Sequence, residues 1–199
     1  MNVIVIGGGA SGLMAAITAA KGGHSVTLLE RQARVGRKLL STGNGRCNLT
    51  NLNMGLPYYH GQDAAFIRPA FEALSLDATL DFFHGLGLLT TAEDNGRVYP
   101  YSDQAGSVLD VLRFAADAAG VMTRAGFEVT GLKKTKRGFT VLSAEEILPA
   151  DRVIVCCGGM AGGKLGGTRS FVELVRSAGL LSPLEDGSLA PVVRRVKEW

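Results

Sequence analysis

Hydrophobic residues open the chain as an unbroken run, Val3-Ile4-Val5-Ile6. Such a run reads as a short apolar strand. It stops at Gly7-Gly8-Gly9-Ala10-Ser11-Gly12, and apolar residues resume from Leu13 to Ala20 as a helix. Gly22-Gly23 break the helix, and Ser25 to Leu29 reads as a second strand ending at Glu30. The order is strand, glycine turn, helix, strand, acid.

Past Glu30 the pattern weakens. Ser41 to Asn51 is small and polar with one arginine, so it reads as a loop, and Asn44-Gly45 favours a turn at positive φ. From Gly61 to Leu88, Phe66, Ile67, Phe71 and Leu74, then Leu80, Phe82, Phe83 and Leu86, recur at near-helical spacing. One or two helices are expected there. Asp94-Asn95-Gly96 predicts a hairpin between Leu88–Thr91 and Arg97–Tyr99, with Pro100 ending the second strand. Ser102 and Asp103 read as caps of a helix over Ala105–Ala119, with Val108, Leu109, Val111, Leu112 and Ala115 on its buried face. The period then falls to two. Phe127–Leu132, Gly138–Leu142 and Glu146–Leu148 predict an antiparallel three-strand meander. Ala150 to Cys157 follows as a near-continuous apolar strand ending in Gly158-Gly159, and Phe171–Ala178 reads as a helix. The fold class expected is α/β, a Rossmann-like domain with a parallel sheet and a meander as crossover.

The glycine turn carries the first chemistry. Gly7 permits the tight turn, Gly9 lets a pyrophosphate approach the backbone, and Gly12 lets helix and strand pack closely. Ala10 and Ser11 open a helix whose free N–H groups and dipole favour phosphate. Glu30 stands where an acid accepts hydrogen bonds from a ribose 2′-hydroxyl, and its charge disfavours a 2′-phosphate. FAD or NAD is therefore expected rather than NADP. The basic residues Arg31, Arg37 and Lys38 stand within reach of the adenosine or pyrophosphate, or else on a solvated loop. The donor-rich stretch Thr42, Gly43, Gly45, Arg46, Cys47 and Asn48 is expected to line the polar edge of a heteroaromatic cofactor.

Composition narrows the classes. With 199 residues and 46% hydrophobic content the chain can bury one substantial core. A net charge of +3 with no long basic run does not favour nucleic acid. The apolar N-terminal run is too short for a membrane span and lacks a basic flank, so no membrane association and a cytoplasmic location are expected. Cys47, Cys156 and Cys157 make no disulfide framework, and Cys156 and Cys157 read as strand-end residues. His24 and His60 lack acidic or cysteine neighbours at ligand spacing, so no metal site is expected, and His84 reads as packed or surface.

The meander followed by an apolar strand and a Gly-Gly turn resembles the FAD domain of the glutathione-reductase-like flavoproteins. In a NAD-type domain that crossover is typically a helix, so the order favours FAD. The resemblance implies that Cys157, Gly158 and Gly159 pass close to the dinucleotide, and that the backbone near Val129 meets the adenine. Three stretches narrow it further: Val3 to Ala16, Gly36-Arg37-Lys38-Leu39-Leu40 running into Gly45-Arg46-Cys47-Asn48-Leu49-Thr50-Asn51, and Asp94 to Pro100 with Ser102-Asp103-Gln104-Ala105 and Ser107-Val108-Leu109. Together they closely resemble the BaiN/YhiN-like NAD(P)/FAD-dependent oxidoreductases, including those named aminoacetone oxidase. The middle stretch is the most specific.

That resemblance implies non-covalent FAD, an FAD-binding domain over residues 1–165, and a helix with the start of a following segment over residues 166–199. It implies oxidoreductase chemistry on a small-molecule substrate with NAD(P)H as a possible partner, and does not name the substrate. Arg46 is the candidate cation near the flavin or a substrate carboxylate. Cys47, with no C-x-x-C partner, fits a structural role better than a redox one. Two features depart from the family. The Tyr-Pro segment and the turn Asp expected after the apolar strand are missing between Met160 and Arg169. The family chain is also roughly twice as long, so a segment closing over the flavin is expected to be absent here. A nucleotide-binding module without catalysis, an NAD-dependent dehydrogenase and a tRNA-modifying flavoprotein are the rival readings, the last disfavoured by the charge.

Overall fold

The computed structural model describes residues 1–59, 64–159 and 170–179. His60 to Asp63, the stretch from Met160 to Arg169 and the tail after residue 179 lie outside the described residues. The chain divides into two compact units. One comprises Met1–Arg37 and Ala116–Trp199, the other Lys38–Ala115.

The first unit opens with β1 (Asn2–Ile6), α1 (Ala10–Lys21) and β2 (Ser25–Glu30). Val3 to Ile6 are all buried, as the unbroken apolar run requires. Leu13, Ala16 and Ile17 form the buried stripe of α1. Lys21 lies in its last turn, where the helix dipole is negative.

In the second unit, turns of 3-10 helix span Leu39–Gly45, interrupted at Thr42, Gly43 and Asn44. β3 (Thr50–Asn51) follows, then α2 (Arg68–Ala73) and α3 (Leu76–Gly85). The Ser75 hydroxyl caps α3 by accepting from the Ala78 N–H at 3.1 Å. β4 (Thr90–Ala92) and β5 (Arg97–Pro100) form the expected hairpin, with β3 added antiparallel to β5. α4 (Ala105–Ala118) buries Ala105, Val108, Leu109, Leu112 and Ala116, while Val111 and Ala115 stay half-buried. The two helices are as expected, though of the eight apolar positions only Phe83 is buried, and Phe66 and Leu74 are exposed. One expectation is corrected. Ser102 and Asp103 do not cap α4: Ser102 Oγ pairs with Ser107 Oγ at 2.8 Å, and Asp103 has a cationic partner described below.

The chain returns to the first unit as β6 (Met122–Ala125), β7 (Gly131–Lys134), β8 (Phe139–Leu142), β9 (Ile147–Ala150), β10 (Arg152–Val155) and α5 (Ser170–Ser177). A parallel sheet has the order β10-β1-β2-β6, and β7-β8-β9 form the antiparallel meander. The meander is as expected except that its first strand starts at Gly131. Phe127 lies outside the ladder because its N–H donates to Glu30 O at 2.9 Å. Ile4, Ile6 and Leu29 from the parallel sheet pack with Leu132, Val141, Ala150 and Leu174. The meander and α5 thus share one core with that sheet. Ser177 Oγ pins α5 to β7, donating to Leu132 O at 3.2 Å and accepting from its N–H at 3.3 Å.

The tightest packing is at the glycine turn. A Cβ on Gly12 would lie 1.8 Å from Gly7 O, and one on Gly7, where φ is +105°, would lie 2.4 Å from Cys156 O. A Cβ on Gly9, with φ of −79°, would meet nothing within 4 Å. Gly12→Ala should therefore lose at least about 1–3 kcal/mol of unfolding free energy. Gly9→Ala should stay within about 0.5 kcal/mol of the unchanged chain. Chemical denaturation of the two variants checks this, and equal losses would contradict it.

Candidate functional site

β1 lies between β10 and β2 in the parallel sheet, so their C-terminal ends stand side by side. Ligands of open α/β sheets bind at the C-terminal ends of such strands. The end of β1 is tied to both neighbours: Gly7 N–H donates to Leu29 O of β2 at 2.7 Å, and Ile6 O accepts from Cys156 N–H after β10 at 2.7 Å. Gly8 is fixed on both sides, its N–H on Glu30 Oε2 at 2.7 Å and its carbonyl accepting from Gly36 N–H at 2.8 Å. Val35 packs beneath it. Gly9 occupies the N-cap of α1 with no side chain capping the helix and no acid in the first turn. Ala10, Ser11 and Gly12 thus turn an uncapped, positively polarised helix end toward the open space over Gly9. Burial pushes the Cys156 thiol pKa up, and a hydrogen bond with Ser11 partly offsets this, so a neutral group borders that space.

Glu30 holds two backbone groups at once. Besides Gly8, its Oε1 accepts from Gln32 N–H at 2.8 Å. A carboxylate offers about four acceptor positions, so lone pairs remain for hydroxyl donors. The strand-exit segment runs beside it: Gly126 N–H donates to Gln32 O at 2.8 Å, next to the Phe127 bond to Glu30. Val129 is half-buried, and its N–H and carbonyl have no hydrogen-bond partner among the described residues. Arg37 Nη1 donates to Gln32 Oε1 at 3.0 Å, and Arg31 lies at the end of β2. Cys157 Sγ approaches Ile6 O at 3.8 Å, with Gly158 and Gly159 directly after it. The first unit therefore gathers Gly7, Gly9, Ala10, Ser11, Gly12, Glu30, Arg31, Arg37, Val129 and the 157–159 turn around the ends of three parallel strands and the exit of a fourth.

Lys38 and the Thr42–Asn48 loop belong to the second unit. The loop takes its shape from positive φ at Gly43, Asn44, Gly45 and Cys47. Thr42 Oγ1 donates to Leu39 O at 2.6 Å, Cys47 N–H to Thr42 O at 3.0 Å and Arg46 N–H to Gly43 O at 3.1 Å. A Cβ on Gly43 would stand 2.7 Å from Asn48 N. Arg46 reaches out of the loop. Its Nη2 meets Glu93 Oε1 at 2.9 Å, its Nε donates to Asp103 Oδ1, and its guanidinium lies 3.9 Å from the Tyr99 ring centroid. Asp103 and then Glu93 hold the guanidinium pKa above its ordinary value. Arg46 is thus already paired with two carboxylates and ties the loop to the β4–β5 hairpin and the start of α4. Cys47 is buried, and burial pushes its thiol pKa up against a smaller opposing bond from Thr42. The structural reading of Cys47 fits a protonated, enclosed thiol.

Among the described residues no group of three or more His, Cys, Asp or Glu side chains could hold a metal ion, and no helix is long and apolar enough to cross a membrane. His84 is exposed, with Nε2 2.8 Å from Thr90 Oγ1.

The family described as HI0933-like protein Rossmann domain matches residues 1–182. The chain belongs to that family. This HI0933-like chain is 45% identical over 188 residues to the 3-dehydro-bile acid delta(4,6)-reductase of Clostridium scindens, covering 92% of the chain and 46% of that protein. It is 26% identical over 179 residues to a ribosomal RNA dihydrouridine synthase of Escherichia coli, covering 90% and 44%. The chain spans about half the length of these curated relatives. Its fold is similar to 3-ketosteroid-delta4-(5alpha)-dehydrogenase from Rhodococcus jostii RHA1, with a TM-score of 0.60, 18% identity and coverage of 80% of this chain and 46% of that one. The family agrees with the resemblance carried by the glycine turn, the Gly-Arg-Cys-Asn loop and the Asp-Asn-Gly hairpin. The Rossmann-like α/β class is likewise as expected.

Arg46→Ala should release the Thr42–Asn48 loop. Iodoacetamide should then label Cys47 several-fold faster than in the unchanged chain, read by peptide mass spectrometry. An unchanged labelling rate would show that Arg46 does not hold the loop.

Proposed function

We propose that the chain is the FAD-binding part of an FAD-dependent oxidoreductase, acting in the cytoplasm on a small polycyclic or heterocyclic substrate. The observation that carries this is the open, uncapped helix end over Gly9, flanked by the Glu30 carboxylate and the unpartnered Val129 backbone. These fit, in order, a pyrophosphate, a ribose diol and an adenine edge. A Cβ at Gly9 would fill the space a phosphate needs. Bound FAD would supply the hydride chemistry.

In this reading Gly9, Ala10, Ser11 and Gly12 offer N–H groups to the pyrophosphate, and Glu30 accepts from the ribose hydroxyls. Cys157, Gly158 and Gly159 let the dinucleotide pass close to the backbone. Within the second unit Arg46 holds the Thr42–Asn48 loop in shape. The 45% identical relative is named as a reductase of a bile-acid ring system, which supports reduction of a ring carbon–carbon double bond in a substrate of that kind. NAD(P)H would be the reductant. A second reading, reduction of a uracil ring in RNA, draws on the 26% identical relative. The net charge of +3 does not favour it.

The test is a titration of the chain with FAD, followed by flavin fluorescence, beside ADP and NAD. FAD should bind, ADP should compete with it, and Gly9→Ala should weaken both by about 1–3 kcal/mol while leaving stability intact. Binding of NAD in place of FAD would support the dehydrogenase reading, and no binding of any of the three would overturn the proposal.

A further inference from the structure

We infer that Arg124 is a positioning residue that aims the Val129 backbone at the nucleobase and so sets base selectivity, an inference that rests on the FAD-binding reading above. β6 places Arg124 opposite Leu29, one position before the Glu30–Ala125 pair. Its guanidinium makes a fork onto Glu146, Nη1 to Oε2 at 3.0 Å and Nη2 to Oε1 at 2.5 Å. The same group lies over the Phe127 ring, 4.5 Å from its centroid. Glu146 is held in turn by the β8–β9 turn: Ser143 N–H donates to Glu146 O at 2.9 Å, and Glu146 N–H donates to Ser143 Oγ at 2.9 Å. A planar fork that also stacks on a ring is a geometry lysine cannot reproduce.

The consequence lies just beyond Phe127. Gly126 and Phe127 are bonded to Gln32 and Glu30, and Thr130 N–H is bonded to Leu142 O at 2.8 Å. Between these anchors the backbone of Glu128 and Val129 has no hydrogen bond among the described residues. Packing alone fixes where the Val129 N–H and carbonyl point. Phe127 and Val129 both rest on the core, and Arg124 covers Phe127 while joining β6 to the meander. Loss of the fork would leave both anchors in place and free the piece between them.

On the Watson–Crick edge adenine presents an amino donor beside a ring-nitrogen acceptor, and guanine presents a carbonyl acceptor beside an N–H donor. A carbonyl and N–H pair set to meet the first faces the second acceptor to acceptor and donor to donor. Selectivity of this kind depends on the pair being held rigidly.

Calorimetric titration of the unchanged chain, R124Q, R124K and E146Q with ADP and with GDP tests this, with the melting temperature measured in parallel. The unchanged chain should prefer ADP. Each variant should bind ADP about tenfold more weakly, the loss of roughly one hydrogen bond, with GDP affinity unchanged, so that the preference collapses. A merely structural role would lower melting temperature and both affinities together. An unchanged ADP-to-GDP ratio in R124Q therefore overturns the inference, whatever happens to stability. Should R124Q not fold, E146Q carries the same comparison. If the unchanged chain binds neither nucleotide, the FAD-binding reading fails and this inference with it. If it prefers ADP and every variant keeps that preference, this inference alone fails.

Discussion

A hydrogen atom on Gly12, where any other residue carries a carbon, sets the distance between α1 and β1. The Gly7 carbonyl occupies the space a Cβ would need, and Cys156 closes on Gly7 from the other side. This contact lets the helix begin directly over the strand ends, with its uncapped amides beside Glu30 and the 157–159 turn. A wider spacing would move the helix end away from the carboxylate, and the two could no longer address one ligand. The site is therefore a product of steric exclusion before it is one of charge.

Charge is used economically around that contact. Glu30 holds the glycine turn through Gly8 and the strand exit through Gln32, and still has acceptor capacity to offer. Arg46 shows the same habit in the second unit, where one guanidinium joins a loop, a hairpin and a helix start. Such residues make binding and folding hard to separate by simple truncation to alanine. Gly9 is valuable for the opposite reason, since its environment contains nothing for the fold to lose.

The first βαβ unit was legible because each of its signals is local: an unbroken apolar run, glycines at fixed offsets, an acid closing the second strand. The Asn-Gly hairpin was legible for the same reason. β6 was not, since Met122-Thr123-Arg124-Ala125 shows no alternation and lies at a sheet edge with Met122 exposed. The first meander strand was placed too early, because Phe127 and Val129 alternate like ladder residues while bonding elsewhere or not at all. Asp103 looked like a helix cap, and only tertiary structure shows its carboxylate turned to Arg46. Phe66 and Leu74 carried helical spacing without a core behind them, which periodicity alone does not reveal.

The parallel sheet also imposes an order on the birth of the molecule. β1 pairs with β10, and Asn2 and Asp151, joined by a hydrogen bond at that edge, are 149 residues apart. Closing a longer loop costs little extra equilibrium free energy, about 0.6 kcal/mol per doubling, but it delays the pairing. Residues 38–115 are a compact unit within that span. During synthesis Val3-Ile4-Val5-Ile6 emerges well before β10 and waits for it with one edge unpaired. That apolar run, fully buried in the folded protein, is for the same reason in need of protection while the chain is being made.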